Sequence, residues 1–541
     1  MKLPNAAEMR GLDRCAIKKF HIPGIVLMEN AGVGTVCMME RELGSPAGAF
    51  ALIFIGPGNN GGDGLVIGRH LHQRGCKPIF FFLVNPDTLQ GDAAANMKIV
   101  RKLRLPYHIL DSESRVQTLP VLYKQFASRG FPCYCIVDAL FGTGLSRPVS
   151  DQFAKTIDFI NVSEAIRGIP VVSVDIPSGM DSDNGKIQGP CISADHTATY
   201  SCPQPGLILH HGSEFSGKIH IIDIGIPPEA MELAKITTEL LDRKTVSALI
   251  KPLNRADNSH KGSNGHLAVL AGSLGKTGAA ILAVRGALRT GTGLVSIFAP
   301  RDLNTIYESH LIEPMSVPLP KSCSHLDIRD YSFIKQELVG KNAVLLGPGI
   351  GTDPATVKLV LALYESVELP MILDADALNI LAYHRSSLSQ VAGPRIFTPH
   401  PGEMARLLGT SIENIQDNRV QATSDACRLY SGNRNDCIVI LKGAGTIITS
   451  SEGLTYINSS GNPGMATGGM GDALTGVIGG LLCQGLDSLQ AAAAGVFLHG
   501  MAGDHLHRNR QLGYTATELE DQLPLTISQL LQNNSHSSQD L

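Results

Sequence analysis

Short apolar runs that end in glycine-rich loops and then pass into helical stretches recur along this 541-residue chain. In the first half, residues 50–55 read as a strand, Gly56 to Gly64 as a loop, and the stretch to about Arg74 as a helix. Further strands are expected at residues 78–84, 134–138, 170–175 and 218–223. Strands alternating with helices give a mostly parallel sheet covered on both faces. Such sheets bind ligands at their C-terminal strand ends, where Asn59, Asn60, Asp63, Asp138 and Asp175 fall. A second series begins at Gly265, with strands expected at 266–270, 294–298, 343–346, 371–374, 395–398 and 437–441. A pair at 445–449 and 455–458 follows, then an apolar helix after Gly471. One hydrophobic core does not serve a chain this long. The expected fold class is therefore α/β in two domains, 1–228 and 265–531, around a charged, polar junction at 229–264. The Asn-, Ser-, Gln- and His-rich tail 532–541 is expected to be disordered.

Composition removes several function classes. A net charge of −4 gives no reason to expect nucleic acid or an anionic membrane as partner. Met1 to Arg10 has no apolar signal-peptide core, which argues against secretion. No stretch supplies the roughly 18 uncharged apolar residues of a membrane span. The eleven cysteines, odd in number and without C-x-x-C pairs, suit free thiols in a reducing compartment. A cytoplasmic enzyme is expected.

The run Gly468-Gly469-Met470-Gly471-Asp472, followed by apolar residues 473–482, carries the most chemistry. It reads as the bare N-terminus of a buried helix, a site that attracts phosphate. A carboxylate there would repel phosphate, so Asp472 suits a base that deprotonates a hydroxyl about to receive a phosphoryl group. An Asp capping a glycine turn is the competing explanation. Lys442-Gly443-Ala444-Gly445-Thr446 offers a cation and several N–H donors to an anion, while Thr398 to Glu403 and Asp374/Asp376 add strand-end polar groups. Ala271 to Ala280 contains Gly-Lys-Thr, but Gly272 and Gly275 are wrongly spaced for a P-loop. Gly347 to Gly351 is a further strand-end loop. In the first half, Gly56-x-Gly58-x-x-Gly61 fits the dinucleotide pattern, but no acid closes the second strand to read a ribose. Asn60, Asp138 and Ser178 are oxygen ligands able to hold a hard cation together. Histidines 70/72, 210/211 and 499/505/507 have no acidic or cysteine partners at metal-ligand spacing.

Taken together, these segments resemble the bifunctional NAD(P)H-hydrate repair enzymes over almost the whole chain. The first half is similar to the NAD(P)H-hydrate epimerase domain, through Met9 to Asp13, Ile22 to Gly32, Gly56 to Gly64, Asp138 to Leu145 and Asp175 to Asp181. The second half resembles the ADP-dependent dehydratase domain, through His260 to Gly262, Ala271 to Ala280, Thr398 to Met404, Lys442 to Thr446 and Asn462 to Asp472. The resemblance implies a Rossmann-like three-layer α/β/α domain followed by a ribokinase-like α/β domain.

It also implies roles. Asn59, Asn60, Gly61, Gly62 and Asp63, with Gly142, Thr143, Gly144, Leu145, Ser146, Arg147 and Pro148, would surround the hydrated dinucleotide, and Asp175 would contact it. Asn60, Asp138 and Ser178 would bind potassium in the epimerase. In the dehydratase, Ala280, Gly349, His400 and Asp472 would contact the hydrate, and Lys442, Gly443, Ala444, Gly445, Thr446 and Gly471 would hold the adenine nucleotide. Mg2+ would serve the dehydratase, with ADP as co-substrate and the hydrates of NADH and NADPH as substrates. A homo-oligomer is expected. The alternative is a ribokinase-like small-molecule kinase fused to a dinucleotide-binding module, whose product would keep the phosphate.

Overall fold

The computed structural model describes residues 1–145, 147–387, 391–432 and 436–536. The chain divides into two compact units, one of residues 2–237 and one from Thr238 onward together with Met1.

The first unit is built on seven strands: β1 Phe50–Ile55, β2 Lys77–Phe82, β3 Tyr107–Ile109, β4 Cys133–Ala139, β5 Val171–Val174, β6 His196–Tyr200 and β7 Lys218–Ile222. All pair in parallel, in the order β3-β2-β1-β4-β5-β6-β7. Successive side chains of β1 enter opposite cores: Ala51, Ile53 and Ile55 join one cluster, and Phe50, Leu52 and Phe54 the other. That alternation of a wholly apolar strand is what a sheet covered on both faces requires. The strand order reverses direction at β1, so a crevice opens between the C-terminal ends of β1 and β4.

The helix after β1 starts earlier than the glycine content suggests, spanning Asn59–Gln73 with Gly58 as its N-cap. Asn60, Gly61, Gly62 and Asp63 thus lie in its first turns rather than in a loop. Close packing explains the glycines. A Cβ on Gly61 would stand 2.4 Å from the Gly56 carbonyl oxygen, so only glycine lets the helix approach the strand end.

The second unit holds ten strands: β8 Thr238–Leu241, β9 His266–Leu270, β10 Leu294–Pro300, β11 Met315–Leu319, β12 Ala343–Leu346, β13 Met371–Leu373, β14 Arg395–Phe397, β15 Cys437–Leu441, β16 Ile447–Ser450 and β17 Thr455–Asn458. Their order is β11-β10-β9-β12-β13-β14-β15-β16-β17-β8, with only β15–β16 and β16–β17 antiparallel. The expected junction is not a plain linker. It contributes β8, which pairs in parallel with β17 at the sheet's edge. At the other end, the last helix runs Ala516–His536, past Gln532 where a disordered tail was expected to begin, and residues 537–541 lie outside the described residues.

The helix carrying Asp472, Met470–Cys483, packs against Thr277–Arg289 almost backbone to backbone. A Cβ on Gly476 would come within 2.0 Å of the Ala283 carbonyl oxygen. This packing holds the helix start at the sheet's C-terminal edge.

Candidate functional site

At the crevice of the first unit lies a cavity of about 700 Å³, lined by residues of three strand-end segments: Pro57 to Asn60 with Asp63, Leu140 to Leu145 with Arg147, and Asp175; Gly61, Gly62 and Pro148 of the expected set do not line it. Of the expected dinucleotide-binding set, Asn59, Asn60, Asp63, Gly142 to Leu145, Arg147 and Asp175 line it. Ser146 lies outside the described residues. Asp175 adopts a left-handed backbone (φ +67), costly for a non-glycine residue and typical of functional positions. Its Oδ2 accepts from the Thr143 N–H at 3.3 Å, and a Cβ on Gly142 would stand 2.8 Å from that oxygen. Asn60 is buried, and among the described residues neither its Oδ1 nor its Nδ2 has a hydrogen-bond partner. Asp138 is fully engaged: Oδ1 accepts from Ser178 Oγ (2.6 Å) and Leu140 N (3.3 Å), Oδ2 from Ser173 Oγ and Ser178 N (both 2.9 Å). Ser178 in turn accepts from Phe141 N at 2.9 Å, which ties β4, β5 and the Phe141–Gly142 loop together.

The cleft concentrates acid. Burial pushes Asp175 up to about 6, partly offset by the Thr143 N–H and reinforced by Asp13. Burial holds Asp63 well above the usual carboxylate range, with the charges of Asp175 and Asp13 adding to it. Sequence reasoning assigned no role to Arg10 and Asp13 of helix Ala6–Lys18, nor to Tyr200 and Gln204, although all line the cavity. The only signal for Arg10 and Asp13 was the Met9–Asp13 segment, whose position in space no local pattern reveals, and Tyr200 and Gln204 had none.

In the second unit, the helix Met470–Cys483 has Gly469 (φ +89) as N-cap, with no side-chain cap. Asp472 stands at the third helical position, and its carboxylate forms no hydrogen bond among the described residues. It is not a cap. The turn between β15 and β16 faces this helix start: a Cβ on Gly471 would lie 3.3 Å from Lys442 Nζ and 3.8 Å from Asp374 Oδ2. Lys442 Nζ donates to Asp374 Oδ1 at 2.8 Å. Burial pushes the ammonium down, but Asp374, Glu403 and Asp472 outweigh it and raise Lys442 above its ordinary value. Burial and the Asp374 charge push Asp472 up to about 6, against the pull of Lys442.

His400 caps helix Pro401–Leu408, its Nδ1 accepting from Gly402 N at 3.0 Å, while Glu403 Oε2 accepts from His400 N at 2.8 Å. This fixes the tautomer with the proton on Nε2, which lies 3.5 Å from Glu403 Oε1 on a side chain that is 51% exposed. Gly349 (φ +66) sits where a Cβ would meet Lys276 and Ala279 at 3.0–3.2 Å. Ala280 is fully buried, and it is the half-buried Ala279 that neighbours Gly349. Of the paired acids at β13, Asp376 Oδ2 accepts from Gly351 N (2.8 Å) and Lys276 Nζ (3.1 Å).

Elsewhere, His70 does find an acidic neighbour, since its Nε2 lies 2.7 Å from Glu29, which also pairs with Arg69. One group of metal-ligating type, Glu42, His196 and His220, comes together among the described residues. Lys218 (2.6 Å) and Arg41 (3.2 Å) already occupy the Glu42 oxygens, so it is an ion-pair network. The cysteines are all free thiols. No helix among the described residues is long and apolar enough to cross a membrane.

A family model described as NAD(P)H-hydrate dehydratase matches residues 267–525, and one described as YjeF-related protein N-terminus matches 24–206. A bifunctional NAD(P)H-hydrate repair enzyme of Moorella thermoacetica is 40% identical over 98% of this chain and 97% of its own length. The chain belongs to the bifunctional NAD(P)H-hydrate repair enzymes. A family member of Escherichia coli is 32% identical over 90% of this chain and 86% of its own. Among solved structures, an ADP/ATP-dependent NAD(P)H-hydrate dehydratase of Bacillus subtilis, co-crystallised with ATP/Mg2+, aligns with 54% of this chain and 98% of its own. Their identity is 29% and the TM-score 0.46. The two-part organisation of the repair-enzyme family coincides with the two sheets described above.

Proposed function

We propose that the first unit interconverts the R and S hydrates of NADH and NADPH, and that the second dehydrates the S form at the expense of ADP. The observation that carries this is the unpaired Asp472 carboxylate at a bare helix start, beside the Lys442–Asp374 pair. In the second unit, Lys442 to Thr446 and the first-turn N–H groups near Gly471 hold the nucleotide's phosphates, with Lys442 supplying the cation. Gly349, the helix start at Ala279 and Ala280, and the His400 Nε2–H orient the hydrate. Asp472 takes the proton from the ring hydroxyl, whose oxygen attacks the terminal phosphorus of ADP, and AMP leaves. The new C–O–phosphate bond then breaks, phosphate departs with the electron pair, a ring proton is lost, and the dihydropyridine is restored. The hydroxyl must meet base and phosphorus at once, so one epimer fits and the other does not. The second epimer needs the first unit.

There, Asp175 would serve epimerisation from the cavity wall, while Asp138, buried behind it, would serve the cation. Asn60, whose buried Oδ1 lacks a partner, fits an oxygen ligand for potassium. Asp138 would supply the compensating charge through Ser178, since its own oxygens are occupied. Magnesium would enter with the nucleotide. Asp374 and Asp376 are each paired with a lysine, so no step is assigned to that ion. The eleven free cysteines support a reducing, cytoplasmic setting.

Incubating the mixed hydrate epimers with ADP tests this. Complete recovery of reduced cofactor is expected, with one AMP and one phosphate released per molecule recovered. A phosphorylated dinucleotide that accumulates without phosphate release would instead favour the kinase alternative.

A further inference from the structure

We propose that Arg419, which sequence reasoning passed over, is a positioning residue for the nucleotide: a buried cation whose counter-charge is supplied by the phosphates of a bound nucleoside diphosphate. The inference rests on the assignment of the nucleotide to the Lys442–Thr446 turn.

Arg419 opens helix Arg419–Tyr430 and is 4% exposed. Its Nη2 donates to the carbonyl oxygens of Leu441 (3.2 Å) and Lys442 (3.3 Å), and its Nη1 to Gln416 Oε1 (2.7 Å). Nε has no partner, and no carboxylate pairs with the guanidinium among the described residues. A buried charge without an opposite charge is costly, and proteins neutralise or pair such groups. Burial is the cause that lowers this arginine, to about 10, which still leaves it charged near neutral pH.

The guanidinium lies directly behind the turn. A Cβ on Gly443 (φ +132) would stand 3.3 Å from both Nη1 and Nη2, so only glycine lets the backbone of the turn pass this close to the charge. Arg395 provides the contrast. It too is buried, but Nε, Nη1 and Nη2 all donate to carbonyls of Tyr364, Val367, Leu369 and Pro394, the pattern of a structural arginine. Arg419 instead leaves a donor idle and its charge unmet, one backbone layer beneath a loop built to receive an anion. The cation draws phosphate to the turn, while its bonds to Leu441 and Lys442 fix the strand end from which Lys442 projects.

The test compares Arg419→Lys, which keeps the charge, with Arg419→Gln, which keeps donors and loses it, both in the full chain. ADP affinity is measured by titration calorimetry, and melting temperature with and without ADP. Arg419→Gln is expected to weaken ADP binding by about tenfold or more and to lose most ADP-induced stabilisation, while Arg419→Lys retains both to within a few-fold. KM for ADP rises in the Gln variant far more than kcat falls, and epimerisation is unchanged. Equal ADP affinity in Arg419→Gln and the unsubstituted protein, even with a lowered melting temperature, would overturn the proposal in favour of a purely structural arginine. Failure of the unsubstituted protein to bind ADP would overturn the nucleotide assignment itself.

Discussion

Asp472→Asn is expected to abolish hydrate dehydration while leaving epimerisation at its original rate. A general base contributes about 10²–10⁴-fold, and Asn keeps the shape of the side chain while removing its capacity to accept a proton. The same substitution is expected to stabilise the second unit. Asp472 has its folded value raised to about 6 from 3.8, by burial first and the Asp374 charge second. Its contribution to stability is therefore fully present below the unfolded value and lost as pH rises through about 6. At neutral pH the ionised group destabilises the fold, and an amide relieves a cost on the order of 1 kcal/mol after allowance for partial exposure. Loss of activity combined with a raised melting temperature marks a functional carboxylate, whereas a cap, which Asn fills as well as Asp, would leave both nearly unchanged. In the unsubstituted protein, dehydration should fall about tenfold per pH unit below pH 6, provided chemistry limits the rate.

Asp175→Asn should give the mirror image: epimerisation reduced by about 10²-fold or more, with dehydration of the S hydrate intact. Asn is the informative choice because it tolerates the left-handed backbone (φ +67) that Asp175 adopts. Supplied with mixed epimers and ADP, this variant should recover the S fraction at the normal rate and then stall. Recovery of both fractions at the unsubstituted rate would remove Asp175 from the epimerase chemistry.

Much of this architecture was legible in the residues because β1, β9, β12 and β15 are short apolar runs that end in glycine. Such runs have few ways to satisfy both faces except inside a covered parallel sheet. What escaped was governed by neighbours rather than by local pattern. β6, His196-Thr197-Ala198-Thr199-Tyr200, carries no apolar run, yet Thr197 to Tyr200 are buried between β5 and β7. β8 lay in a charged segment that looked like a junction, and only the open edge of β17 makes it a strand. β11 contains Pro318, which an edge strand tolerates and a pattern search rejects. In the sites, glycine loops and strand-end acids announced Asn60, Asp175, Lys442 and Asp472. Arg10 and Asp13 reach their cavity, and Arg419 the back of the Lys442–Thr446 turn, from helices whose sequences give no hint of what they approach.

The most direct measurement uses S hydrate carrying a heavy-oxygen label in its ring hydroxyl, turned over with unlabelled ADP. If Asp472 activates that oxygen to attack phosphorus, the label must leave in the released inorganic phosphate. Label found in water, with unlabelled phosphate alongside, would mean that the hydroxyl departs without ever meeting the nucleotide.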